Sequence, residues 1–165
     1  MRLVMAVSKD GLCARGDGDD MSWTGRFDKK LFQLVTLSGA RDLVAGARTY
    51  DLMAGNNCVG LKGRTVRRLS RTPDEGGLTR VKSYTLERSV ALFPGADLIG
   101  GLTAARAALE LDYVTCAVIV TVPVELKKGV AFDLWWLMDD SRHWRTHEVD
   151  FSNGYSVKIL WRTRP

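Results

Sequence analysis

Met21-Ser22-Trp23-Thr24-Gly25-Arg26-Phe27-Asp28-Lys29-Lys30-Leu31-Phe32 is the stretch around which the rest of the chain is organised. A Trp precedes a helix, a carboxylate falls in its first turn, and an aromatic follows one turn later. Thr24 sits where an N-cap belongs, and Phe27, Leu31 and Leu34 recur at helical spacing as an apolar stripe. Asp28, Phe32 and Val35, at i, i+4 and i+7, put an acid and a ring on a second face. Such a face suits a flat, hydrogen-bonding heterocycle. A first-turn acid also serves simply to complement the helix dipole while facing solvent.

Upstream, residues 3–7 form a short apolar run that reads as a buried strand. Residues 8–20 are rich in Gly and Asp, the chemistry of a loop, and a loop this long between a strand and a helix is more often functional than idle. Downstream, residues 42–46 read as a second buried strand that runs through Gly46 into a short helix stopped by Gly55. That sequence of strand, Gly turn and helix start offers free N–H groups to a phosphate. A polar loop with Asn56, Asn57 and Gly60 leads to Lys62-Gly63-Arg64 and a strand through Val66 and Leu69. Residues 80–84 are a further strand candidate. Thr85 then opens a helix with Leu86, Val90 and Phe93 at i, i+4 and i+7.

The strand–Gly–helix device recurs at residues 96–101, which end in Gly100-Gly101 before a strongly helical run from Ala104. Residues 114–122 are almost wholly apolar and β-branched, the signature of a central strand covered on both faces. Asn153-Gly154 between two strand-like runs signals a closing hairpin. The alternation is that of an α/β chain with an antiparallel hairpin at its end, and residues 1–165 read as one domain.

Composition narrows the function classes. A 165-residue chain that is 45% hydrophobic can bury a full core, and no apolar run approaches the length of a membrane span. Cys13, Cys58 and Cys116 share no metal or redox spacing, which points to reduced thiols in the cytoplasm. Lys and Arg exceed Asp and Glu by five, but only Arg64, Arg67, Arg68 and Arg71 cluster, and no aromatics interleave with them. That pattern suits a phosphorylated small ligand, and no nucleic acid or membrane partner is expected. His143 and His147 lie at i, i+4 in a run read as a strand, without a Cys or acid at metal spacing, so no metal is expected. Trp135 and Trp136 belong to an apolar patch, and no nucleophile elbow is present.

Loops and helix starts that follow parallel strands converge on one sheet edge. No Gly-x-Gly-x-x-Gly follows the first strand, so the ordinary dinucleotide fingerprint is missing. Two glycine turns beside Arg48, Ser70 and Arg71 nevertheless favour a phosphorylated dinucleotide, NADP over NAD.

Taken in order, these residues resemble dihydrofolate reductase over most of the chain. Met21-Ser22-Trp23 resembles the Met-Pro-Trp that ends that family's mobile loop, Asp28 falls at the spacing of its acid and Phe32 at that of its pterin-stacking ring. Gly46-Ala47-Arg48-Thr49-Tyr50 resembles Gly-Arg-x-Thr-Trp, and Leu61-Lys62-Gly63-Arg64 resembles Leu-Pro-Gly-Arg, whose Arg clamps the substrate's α-carboxylate. Leu69-Ser70-Arg71 and Ile99-Gly100-Gly101 match two further turns, the second of which carries a cis peptide in the family.

The resemblance implies a three-layer α/β/α fold with a mostly parallel sheet. It implies a monomer that binds NADPH and reduces 7,8-dihydrofolate, with Asp28 and Trp23 in the catalytic role. It places Met5, Ala6, Asp28, Phe32, Met53, Arg64, Ile99 and Thr121 around the substrate. Around the cofactor it places Ala6, Ala14, Gly46, Ala47, Arg48, Thr49, Leu69, Ser70, Arg71, Gly100, Gly101, Leu102 and Thr103. The loop of residues 8–20 would be a lid. Ser22, Ala47 and Ala105 depart from the family's Pro, Arg and Tyr. Asp10-Gly11-x-x-Ala14 and Gly18-Asp19-x-x-x-Trp23 also resemble the reductase domain of riboflavin biosynthesis, which acts on a ribosylamino-pyrimidine phosphate. A non-catalytic dinucleotide binder is the remaining alternative.

Overall fold

In the computed structural model, residues 1–55, 61–74, 81–139 and 143–163 are described. Asn56, Asn57, Cys58 and Gly60, and Arg80 at the start of the strand expected over residues 80–84, lie outside them. In chain order the elements are β1 (Arg2–Ser8), β2 (Leu12–Ala14), a 3-10 turn (Ser22–Thr24), α1 (Gly25–Leu37), β3 (Asp42–Gly46), α2 (Ala47–Gly55), β4 (Thr65–Leu69) and β5 (Ser83–Tyr84). There follow α3 (Leu86–Leu92), β6 (Asp97–Leu98), α4 (Leu102–Glu110), β7 (Cys116–Val122), β8 (Val130–Ala131), α5 (Trp135–Met138), β9 (Trp144–Asp150) and β10 (Ser156–Arg162).

Eight strands form one sheet in the order β5-β4-β3-β6-β1-β7-β10-β9. β1 lies parallel to β6 and β7, β3 to β4 and β6, and β4 to β5. Only β10 runs against its neighbours, β7 and β9. β7 is central because Ala117 and Ile119 point to one face and Val118 and Val120 to the other. The first pair joins Leu3, Val7, Leu98, Ala105 and Leu109, against which Leu86 and Phe93 also pack. The second pair meets Val157, with Leu31, Val35 and Ile159 packed on it. Thus α3 and α4 cover one face and α1 the other, giving the expected three layers. Each fully buried aliphatic, such as Leu3, Leu98 or Ile119, contributes about 1.5–3 kcal/mol of hydrophobic stabilisation.

One buried ion pair ties the layers together. Arg2 Nε and Nη2 each donate to the Asp97 carboxylate at 2.8 Å, and Nη2 also donates to the Val35 carbonyl oxygen at 2.7 Å. Asp97 is 1% exposed, so the end of α1 is locked to β1 and β6 through a charge-assisted fork. The closing hairpin forms as the Asn153-Gly154 signal predicts. Gly154 adopts φ +84° and its N–H donates to the Phe151 carbonyl oxygen at 2.9 Å.

Three local expectations need correction. Leu34 is 61% exposed, because the sheet-facing arc of α1 advances by four from Leu31 to Val35 and leaves i+3 in solvent. Val35 accordingly packs on the sheet and does not share a ligand face with Phe32. Thr24 precedes α1 in helical φ/ψ and makes no side-chain cap bond; Thr85 does cap α3, accepting from the Arg88 N–H at 3.2 Å. Finally, the described chain has no cis peptide, so the Gly100–Gly101 bond is trans.

Candidate functional site

The parallel strands β1, β3, β4, β6 and β7 have their carboxyl ends at one edge of the sheet, and both glycine turns follow strands that end there. Along α1, Asp28, Phe32 and Thr36 stand at i, i+4 and i+8, and so span about 12 Å of helix on one line. Asp28 and Thr36 are buried while Phe32 is half-buried. At the far end, Arg64 Nη1 donates to Thr36 Oγ1 at 2.6 Å, and the guanidinium lies 5.7 Å from the Phe32 ring centroid. Arg64 Nε is buried and has no hydrogen-bond partner. Gly63 at φ +77° and the Arg64 N–H donated to Leu61 O at 2.9 Å form the turn that aims Arg64 at α1.

Burial raises the Asp28 pKa from its ordinary value, opposed by the nearby Thr24 hydroxyl and by the Lys29 charge. A carboxyl in this setting can accept hydrogen bonds from a heterocycle or, when it carries a proton, help to deliver one. Trp23 is 6% exposed, and its Nε1 donates to Asp19 Oδ2 at 2.9 Å. The same carboxylate accepts from the backbone N–H groups of Arg15 and Met21, so Asp19 fixes the end of the loop. The loop of residues 8–20 is itself tied down. β2 pairs with β8, and the Asp10 carboxylate accepts from Ser8 Oγ, Leu126 N and Lys127 N. A Cβ on Gly129 would lie 2.1 Å from the Ala14 carbonyl oxygen, so only glycine admits that pairing.

The two glycine turns are one corner. Gly46 N–H donates to Gly100 O at 3.0 Å, and a Cβ on Gly101 would lie 3.0 Å from Gly46 Cα and 3.2 Å from its N. A Cβ on Gly100 would strike Thr49 Cγ2 at 2.8 Å. The starts of α2, at Ala47, and α4, at Leu102 and Thr103, therefore lie side by side with free N–H groups, as a diphosphate requires. Ala104 borders this corner, 3.7 Å from the positions that a Cβ on Gly46 or Gly101 would take. Ala105, read as the counterpart of a ligand-facing Tyr, is instead fully buried in the core.

Of the two expected cations, Arg48 is already engaged. Arg48 Nη1 donates to Asp17 Oδ1 at 2.7 Å, with both side chains largely exposed. Ser70 Oγ donates to the Thr72 carbonyl oxygen at 3.0 Å, and Arg71 is exposed. Arg68 pairs with Asp51 and Arg67 with Asp42.

Of the other residues expected here, Met5 and Ala6 lie half-buried in β1, Ala14 closes β2, and Thr121 sits in β7 between Val7 and Ser156. Ile99 follows β6, Leu69 ends β4 and Met53 lies late in α2. Thr36, Asp17, Asp19 and Tyr155 are additions that the sequence reading missed. Thr36 was accessible from the i+8 spacing; the others depend on distant chain. Tyr155 Oη donates to Thr24 O at 2.9 Å, and its ring lies 4.7 Å from Phe27. An apolar cleft of about 360 Å³ between α1 and the sheet is lined by Leu31, Val35, Val118, Phe151 and others, but by none of Asp28, Phe32 or Arg64. Among the described residues no group of His, Cys, Asp or Glu could hold a metal, and no helix is long and apolar enough to cross a membrane. Cys13 and Cys116 are free thiols.

The architecture is that of a dihydrofolate reductase-like α/β fold. A dihydrofolate reductase from Enterococcus faecalis, complexed with NADP(H) and RAB-propyl, superposes with a TM-score of 0.71 at 18% identity, covering 99% of this chain and 96% of that one. A provisionally named riboflavin biosynthesis protein from Shewanella sp. PV-4 superposes with a TM-score of 0.69 at 18% identity, covering 99% and 98%. No family model and no curated protein matches the sequence.

Proposed function

We propose that the chain is an NADPH-dependent reductase of 7,8-dihydrofolate, forming 5,6,7,8-tetrahydrofolate by hydride addition at C6 and protonation at N5. The observation that carries this reading is the line along α1. A buried acid stands at one end, a ring in the middle, and at the other end an arginine whose buried Nε lacks a partner. A flat heterocycle with a carboxylate-bearing tail satisfies all three, since an unpaired buried donor is costly and a carboxylate is its strongest partner.

The glycine corner fits the cofactor. Side chains are excluded there by contacts as short as 2.8 Å, so backbone N–H groups at Ala47, Leu102 and Thr103 are left to face a diphosphate, with Gly46, Thr49, Gly100 and Gly101 forming the wall. Arg48 and Arg71, with Ser70, would neutralise the ribose phosphate once Arg48 leaves Asp17. NADPH bound in that position supplies the hydride. The protein orients the ring and excludes water. Asp28 accepts hydrogen bonds from the 2-amino group and ring N–H, and polarises the ring toward protonation at N5. Trp23, held by Asp19, closes the pterin end.

Steady-state assay with dihydrofolate and NADPH tests the proposal, with loss of NADPH absorbance expected and stoichiometric tetrahydrofolate formed. Equal likeness to the Shewanella protein supports a second reading, reduction of a ribosylamino-pyrimidine phosphate. Turnover of that substrate with none of dihydrofolate would replace the first reading. Binding of NADPH with turnover of neither would leave a dinucleotide binder.

A further inference from the structure

Trp23 is 6% exposed, yet among the described residues it belongs to neither apolar core cluster of the fold. Core packing therefore does not by itself fix the position of its ring. An indole has one polar group, a donor, and here that donor is committed to Asp19 Oδ2 at 2.9 Å. The same oxygen accepts from the Arg15 N–H at 2.6 Å, and Oδ1 accepts from the Met21 N–H at 2.9 Å. All three partners donate, and they reach Asp19 from both sides of it in the chain. An ionised carboxylate accepts and never donates, so it satisfies all three. An amide would turn its NH2 toward at least one of these N–H groups. Met21, between the carboxylate and the indole, sits at φ +56°, a conformation that a non-glycine residue keeps only where its surroundings enforce it. Asp20, the next residue, has a different partner, the Ser22 N–H at 2.9 Å.

We propose that Asp19 is a positioning residue for Trp23, its carboxylate fixing the indole ring through the side chain and not merely through the backbone of the loop. With its N–H held in this way, Trp23 offers a ligand its ring and no hydrogen bond. The consequence for turnover rests on the dihydrofolate reading, whereas the bond itself does not. In that reading a ring free to shift no longer closes the pterin end, and hydride donor and acceptor are held less well. Asp19 touches neither of them, and acts only by keeping Trp23 in place.

The test follows the Trp23 indole N–H by proton–nitrogen NMR of the full chain without ligand, the signal being assigned by its loss in Trp23→Phe. In Asp19→Ala a buried donor loses its charged acceptor, so the indole proton exchanges with solvent about 10-fold faster or more and its resonance moves. Asp19→Asn, with one oxygen left, gives a smaller change in the same direction, and Asp20→Asn leaves the signal where it is. In assays with dihydrofolate and NADPH, Asp19→Ala lowers kcat by about 10-fold, and adding it to Trp23→Phe causes no further loss, since Phe has no N–H for Asp19 to hold. Losses that multiply in the double variant would show that Asp19 serves the loop backbone alone, and they overturn the proposal. So does an indole signal unmoved in both Asp19 variants, or moved equally by Asp20→Asn. If Asp19→Ala does not fold, Asp19→Asn carries the same exchange measurement and the same double-variant comparison. A parent chain that turns over neither dihydrofolate nor a ribosylamino-pyrimidine phosphate removes the reductase reading, and the indole exchange then decides the Asp19 assignment by itself.

Discussion

The glycine corner and the α1 line are built from opposite materials. At the corner, Gly46, Gly100 and Gly101 touch through backbone, and side chains are kept out by contacts of 2.8 to 3.3 Å. Along α1, Asp28, Phe32 and Thr36 act through side chains, with Arg64 supplied from the turn before β4. A backbone site recognises a generic diphosphate and tolerates changes of neighbouring side chains such as Ala47. A side-chain site recognises one ring and one tail, and is sensitive to single atoms.

That contrast breaks most sharply at Asp28. Asp28→Asn is expected to lower kcat by about 100-fold or more near neutral pH, with dinucleotide affinity unchanged. Parent-like turnover in the variant removes Asp28 from the chemistry. The same change raises Tm at neutral pH. Burial raises the Asp28 pKa, so the folded chain retains a proton that the unfolded chain releases, and stability falls as pH rises from the ordinary carboxylate range through the raised value. Asn carries no such cost, and the gain disappears below the ordinary carboxylate range; thermal melts across pH check the sign.

Next in size, Arg64→Leu should raise KM for dihydrofolate about 10- to 100-fold, by loss of a charged hydrogen-bonded partner for the tail, while a pterin lacking the carboxylate is unaffected. Equal losses on both substrates would show that Arg64 serves only to hold Thr36. On the backbone side, Gly101→Ala introduces a Cβ against Gly46 at φ +87°. It should cost about 1–3 kcal/mol of stability and weaken dinucleotide binding with little change in KM for the pterin. Smallest is Asp17→Asn, which frees Arg48 from an exposed pair and should tighten NADPH, but not NADH, by less than about threefold.

The same division decides what could be read from sequence. Glycine corners, the Asn153-Gly154 turn and the strands of the sheet depend on local backbone preference and on the two-residue alternation of strands, both visible in the letters. That Asp28 and Phe32 share a face of α1 followed from spacing, whereas the contact of Arg64 with Thr36 did not. Leu34 misled because i+3 and i+4 residues are equally apolar on α1, and only the sheet chooses between them. The pairing of Arg48 with Asp17 spans 31 residues and that of Tyr155 with Thr24 spans 131, distances at which no periodicity operates. Ala105 was placed at the ligand by counting from Gly101, whereas one position of helix rotation turns it into the core and brings Ala104 to the corner.

The bond from Tyr155 to Thr24 sets an order of events during synthesis. The acid-bearing helix is made early, but the hydroxyl that steadies its entrance belongs to the closing hairpin, so the pocket around Asp28 is completed only after the final strands clear the ribosome. A nascent chain halted before that hairpin would hold Asp28 without this brace.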